Sequence, residues 1–203
     1  LTRYITISQE PVFLSNALIA TFSTFVMFAY LGSAPVLFEQ VLHFTPGQFG
    51  AFFGVNAAAF ILGTQINGRL VHRVAMPVLL EGALLWAIVA GGLFTVLALC
   101  GVAGEHHALL TCTLIASITG ALGFIGPNAT VMSFYHHGQH AGSASALLGT
   151  MQFGIGSLSS VLVGLLPGGS AIPTAIGMMV GILGMAGADL MRRHAPEIGA
   201  DED

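Results

Sequence analysis

The chain is 203 residues long, 55% hydrophobic and 7% charged, with a formal net charge of −4 and no lysine. A soluble domain carries about a quarter charged residues, so a mean hydropathy of +0.86 excludes water as the solvent for most of this surface. Six apolar stretches are each long enough to cover a ~30 Å hydrocarbon core, and no soluble domain fits between them.

The chain opens Leu1-Thr2-Arg3-Tyr4, without an initiator methionine and without a signal-peptide pattern. That opening reads as a piece of a longer protein. The first predicted span covers residues 12–38. It carries Phe22, Phe25 and Phe28 at steps of three, with Met27 and Tyr30 beside them. Such a stripe serves packing or lipid contact, or else the wall of a cavity for bulky amphipathic ligands.

The second span, residues 48–66, holds Asn56 about 12 Å from its start at ~1.5 Å per residue. The third and fourth spans cover 75–102 and 108–135, with Cys100 and Cys112 flanking their junction, expected as buried free thiols, with a disulfide on an oxidising face as the other reading. Span four contains Gly120, Gly123 and Gly126, followed by Pro127, which removes one backbone donor. Span five, residues 141–166, carries Gly142, Ala146 and Gly149 on one face and holds Gln152 about 17 Å deep. Span six, residues 172–191, has Gly177, Gly181, Gly184 and Gly187 in one stripe. Small residues let helix backbones approach in lipid; a second reading of these glycines is sliding or bending during a transport cycle. A buried amide at mid-depth must be paired or face water, so Asn56 and Gln152 point into the bundle, toward another helix or toward a cavity.

Arginine placement orients the bundle. Arg3 precedes span one, Arg69 and Arg73 lie between spans two and three, and Arg192 and Arg193 follow span six. Positive residues next to spans stay cytoplasmic, which predicts both termini there. The tail at 196–203, ending Asp201-Glu202-Asp203, reads as an acidic disordered end. No charged residue lies at the centre of a span; Glu81 and Asp189 are expected within two turns of the cytoplasmic face, reaching headgroups or water. His136 and His140 have helical i, i+4 spacing and His106-His107 sit at the other side, but all read as solvated loop residues. No metal, cofactor or nucleic-acid partner is expected. Without a nucleophile–base pair, phosphate loop or redox motif, neither is an enzyme.

Residues Pro11 to Leu70 resemble the start of the second half of a Bcr/CflA-type drug-resistance transporter of the major facilitator superfamily. The resembling residues include Phe28-Ala29-Tyr30, Gly32-Ser33-Ala34-Pro35, Phe49-Gly50-Ala51-Phe52-Phe53-Gly54-Val55-Asn56 and Asn67-Gly68-Arg69-Leu70. Gly126-Pro127-Asn128-Ala129, the run Ala141 to Gly149, and Gln152-Phe153 resemble the fourth and fifth spans of that half. The resemblance implies an all-α membrane protein: a six-transmembrane-helix bundle, one half of a major facilitator superfamily fold, built from two inverted three-helix repeats. It also implies a bacterial inner-membrane carrier that exports drugs or small amphipathic metabolites by proton antiport. Its coupling carboxylate would lie outside this chain, and its partner would be a missing N-terminal six-helix half.

In that setting spans one, two, four and five face the cavity, while three and six face lipid. Phe25, Phe28, Tyr30, Asn56, Asn128 and Gln152 are the expected cavity or gate residues. The loop after span two matches the superfamily's gating motif only in part. Gly63 aligns with its start, Asn67 stands where an Asp belongs, and Arg69 and Arg73 keep the positive character. Two other readings stay open: a six-span half-transporter working as a homodimer with a second copy, and a non-transporting membrane scaffold.

Overall fold

The computed structural model describes residues 10–135 and 141–194, all helical apart from short connections. Helix α1 runs Pro11–Pro35 and continues through a wider π-helical stretch, Val36–Val41. The others are α2 (Pro46–Leu70), α3 (Met76–Leu99), α4 (Ala108–Ser133), α5 (Ala141–Leu165) and α6 (Ile172–His194), with a 3-10 turn at Glu105–His107 leading into α4. All six are long and apolar enough to cross a membrane. Arg3, His136, His137, His140 and the acidic tail lie outside the described residues.

The starts and stops follow local chemistry. Proline opens α1, α2 and α3, where its missing N–H costs nothing and its fixed φ suits the first turn. Thr45 and Gln48 close a capping box at the head of α2. At the end of α3, Gly101 takes φ 72°. Val102 N–H then reaches the Leu97 carbonyl at 2.9 Å and Gly101 N–H that of Ala98 at 3.1 Å, the Schellman pattern that satisfies a helix's last acceptors. This stop comes three residues before the end of the predicted third span and leaves the Cys100 thiol exposed, where burial was expected, while Cys112 is buried and both are free. In α1 the helix passes Pro35 instead of breaking there, and absorbs the misfit by widening to i→i+5 bonding.

Helices α1 and α4 pack against each other at the centre. On one side α5 and α6 pack against α1; on the other, α2 and α3 pack against α4; α3 and α6 meet behind. Exchanging α1 with α4, α2 with α5 and α3 with α6 maps each of these principal pairs onto another principal pair. That is the packing of two inverted three-helix repeats. Burial grades accordingly: 61% and 56% of the most apolar windows of α1 and α4 are buried, against 11% in α2 and 22% in α5.

The seams differ in their chemistry. Between α1 and α6, Gly181 and Gly184 receive Val26 and Phe22, and an added methyl at either would come within 2.5 Å of those side chains. Gly177 lies against Ala29 and Val163, whereas Gly187, the fourth of the stripe, has open space. Between α2 and α4 the backbones themselves touch: a methyl at Gly63 would collide with the Gly120 carbonyl, and one at Gly123 would come 2.5 Å from that of Phe60. Gly142 and Gly149 of α5 have nothing within 4 Å, so the expected close contact there is not made by this chain.

A four-residue ionic network joins α3 to α6. Arg192 reaches Glu81 at 2.6 Å and Asp189 at 2.7 Å, and Arg193 reaches Glu81 at 3.2 Å and Asp189 at 2.8 Å. It brings the end of α6 beside the start of α3, so Arg69, Arg73, Arg192 and Arg193 share one end of the bundle. Asp189 is 3% exposed, which corrects the expectation that it reaches headgroups or water. Its carboxylate is instead held between two guanidinium groups, where a buried charge is tolerated. At the opposite end His43 Nε2 lies 4.0 Å from Glu105 Oε2.

Candidate functional site

Two cavities adjoin α1 on the face flanked by α2 and α5. The first, about 240 Å³, is enclosed by α1, α2 and α4, with Met27, Tyr30, Phe53, Asn56, Phe60 and Thr119 among its walls. The second, about 500 Å³, is a groove toward the arginine end, where Ser23, Thr24, Pro127, Thr130 and Gln152 line the walls with Met27 and Phe60. Met27 and Phe60 border both, so the two form neighbouring compartments of one cleft. Neither is lined by a carboxylate or a basic side chain.

Asn56 lies at mid-depth in α2 and is 3% exposed. Its Nδ2 donates to the Phe52 carbonyl at 3.2 Å, and its Oδ1 accepts from the Thr119 hydroxyl at 3.1 Å. It therefore combines both expected readings: it bridges α2 to α4 and lines the smaller cavity. Gln152 differs. It is partly exposed, lines the groove, and has no hydrogen-bond partner among the described residues. A mid-depth amide in that condition needs a polar occupant or a partner helix.

The aromatic residues separate. Tyr30 is 2% exposed and stacks on Phe53 at 6.2 Å, with Phe38 edge-on at 6.3 Å. Phe38 is in turn ringed by Phe44, Phe49 and Phe52, and this aromatic nest closes the bundle between the π-helical end of α1 and the start of α2. The Tyr30 hydroxyl has no hydrogen-bond partner among the described residues. Phe28 packs between α1 and α5, with Phe153 at 6.1 Å. Phe25 is turned toward α6, lying beside Phe22 and the position of Gly181.

Asn128 lies near the arginine end of α4, but its side chain is paired. Asn67 Nδ2 donates to Asn128 Oδ1 at 3.0 Å, and Asn128 Nδ2 donates to Asn67 Oδ1 at 2.8 Å. Both residues are buried. Gly63, one turn earlier, is the backbone contact with Gly120. The motif-like residues Gly63 and Asn67 thus fasten α2 to α4 within the lobe, while Arg69 and Arg73 are exposed at its end. The sequence reading missed Thr119, Ser23, Thr24 and Thr130. Threonine and serine carry no depth signal in apolar helices, because their hydroxyls bond back to the preceding turn, as Thr24 does to Ala20 at 3.2 Å.

No protein-family model and no solved structure matches the chain. Two curated proteins do. One is an uncharacterized MFS-type transporter of Bacillus subtilis, YdgK, 29% identical over 157 residues, which cover 77% of this chain and 38% of that protein. The other is a bicyclomycin resistance protein homolog of Haemophilus influenzae, 26% identical over 160 residues, covering 76% of this chain and 38% of the relative. The matched stretch thus spans under two-fifths of either relative. With six membrane-length helices packed as two inverted triplets, the chain is a multi-pass membrane protein similar to part of an MFS-type transporter and of a bicyclomycin resistance protein homolog.

Proposed function

We propose that this chain is the C-terminal six-helix half of a twelve-span carrier that exports small amphipathic molecules by alternating access, coupled to proton antiport. The observation that carries this reading is the contrast between the uncovered helix faces. On α3 the exposed positions are large and apolar, including Leu85, Trp86, Val89, Leu93 and Val96, as a lipid-facing surface requires. On α2 and α5 exposed apolar side chains such as Val55, Leu62, Phe153 and Leu158 alternate with open glycines, among them Gly47, Gly50, Gly54, Gly142, Gly149 and Gly154, whereas α3 has only Gly82 and Gly92 in open space among the described residues. Small residues on an uncovered helix suit close approach by another helix better than contact with acyl chains. These two helices flank the cleft, so a second lobe docked on them would enclose it.

In this mechanism the cleft binds substrate chiefly by apolar contact with Met27, Phe53 and Phe60. Asn56, Thr119 and Gln152 fix its orientation through hydrogen bonds. A wall without charges suits a neutral or weakly polar substrate and leaves proton coupling to a carboxylate in the other lobe. The exporter role and the inner-membrane location extend the likeness to a transporter and a resistance protein, and the cytoplasmic placing of both termini rests on the arginine end. The test is efflux from cells expressing the complete carrier. Gln152→Ala and Asn56→Ala should each lower drug efflux severalfold while membrane insertion stays normal; wild-type efflux in both would remove the cleft from the transport path.

A further inference from the structure

A second concavity, unrelated to the cleft, lies on the back of the bundle between α3 and α6 at the arginine end. Its volume is about 590 Å³. Val78, Leu85, Ile88 and Leu190 form its walls, and Glu81 and Arg193 stand at its mouth. The walls are open to the surroundings: Val78, Leu85 and Leu190 are each more than half exposed.

Chemistry at the mouth narrows the occupant. Asp189 and Glu81 each meet both arginines, but only 4% of the Asp189 side chain is exposed, so it offers nothing outward. Arg192, with 15% of its side chain exposed, is likewise committed to Asp189 and Glu81. What faces out is one pair of opposite charges, Glu81 and Arg193, with side chains 35% and 49% exposed and 3.2 Å apart. Among the described residues two guanidinium groups balance two carboxylates, so the network at the mouth is dipolar and neutral.

We propose that this groove binds a phospholipid with an ethanolamine headgroup, from the leaflet at the arginine end. Its acyl chain lies along Val78, Leu85 and Leu190, its phosphate beside Arg193, and its primary ammonium against Glu81. The ammonium donates charge-assisted hydrogen bonds to the carboxylate, which a choline headgroup, lacking N–H groups, cannot do. An anionic glycerol headgroup would bring a charge that Arg193, already compensated by Asp189 and Glu81, does not offset. The inference requires only that the helices cross a bilayer; it does not depend on export.

The full chain, reconstituted in nanodiscs holding equal amounts of ethanolamine, choline and glycerol phospholipids with identical acyl chains, is released into mild detergent. Retained lipid is then counted by native mass spectrometry. The ethanolamine lipid should be enriched roughly fivefold or more over the other two, as expected for a hydrogen bond to a charged group. Glu81→Gln should move the preference to the glycerol lipid, because Arg193 is then less compensated. Leu85→Trp, which fills the groove away from the ionic network, should reduce retention of all three with helix content unchanged. Retention in proportion to supply in the unmodified chain, or an unchanged ranking in Glu81→Gln, overturns the proposal.

Discussion

The amide pair between Asn67 and Asn128 shows what one atom can decide. Each side chain donates once and accepts once, at 3.0 and 2.8 Å, closing a two-bond ring between α2 and α4. A carboxylate at position 67 could only accept, which would leave Asn128 Oδ1 without its donor. Asn67→Asp should therefore destabilise the chain by about 1–3 kcal/mol, the cost of an unsatisfied buried polar group, read as a lower unfolding midpoint in detergent. Replacing both residues by leucine should cost less than the two single replacements summed, since each single change strands the other amide. Asp189 belongs to the same scale. Asp189→Ala removes the carboxylate that engages both arginines and should cost about 3–5 kcal/mol, as for a buried ion pair losing one partner. The sequence marked Asn67, Asn128 and Asp189 as noteworthy, and helical spacing puts Arg192 and Arg193 beside Asp189, but it did not show the contacts between helices. The amides are 61 positions apart and Arg192 meets Glu81 across 111, separations that no local pattern encodes.

At the scale of the helix, the spans were readable because length and apolarity alone determine them. Which way each helix faces was not. In lipid both the buried and the outward faces are apolar, so the polar–apolar contrast that orients a helix in water is nearly absent. Asn56 and Gln152 have similar depth, yet one is clasped by Thr119 and the other lies open in the groove. Glycine carried the same ambiguity: Gly63 and Gly54 look alike in sequence, but one touches the α4 backbone and the other touches nothing. Their alanine variants should separate accordingly. Gly63→Ala should force α2 from α4 and lower stability by about 1–3 kcal/mol, as overpacking does. Gly54→Ala should be neutral or stabilise by up to about 1 kcal/mol, because alanine favours the helix where space allows it. Thermal unfolding of the two variants side by side checks the pair.

For the whole molecule, the fold expected from the sequence is the one observed, since two inverted triplets follow from six spans and the family resemblance. The cleft was legible only in part. Its amides stood out against an apolar background, while Phe25 proved to face α6 and the hydroxyls went unnoticed. The proposed docking of a second lobe on α2 and α5 makes a whole-molecule prediction. Gly50→Trp, in open space on α2, should leave the chain's own unfolding midpoint unchanged but abolish co-purification with the other six-span lobe. Leu93→Trp, on the lipid-type face of α3, should leave co-purification intact. Loss in neither variant would favour a lobe that works without such a mate.

The exchange of triplets that preserves the packing does not preserve its chemistry. On one side, α2 is riveted to α4 by the Asn67–Asn128 ring, the Asn56–Thr119 bond and a bare backbone seam. On the other, α5 is tied to α1 by the Ser160 hydroxyl reaching the Phe28 carbonyl at 3.1 Å, with Phe28 against Phe153 alongside. The two wings are therefore fastened by different chemistry: paired amides and bare backbone hold α2, while Gly32 seated on Ser160 and Gly156 under Phe28 hold α5.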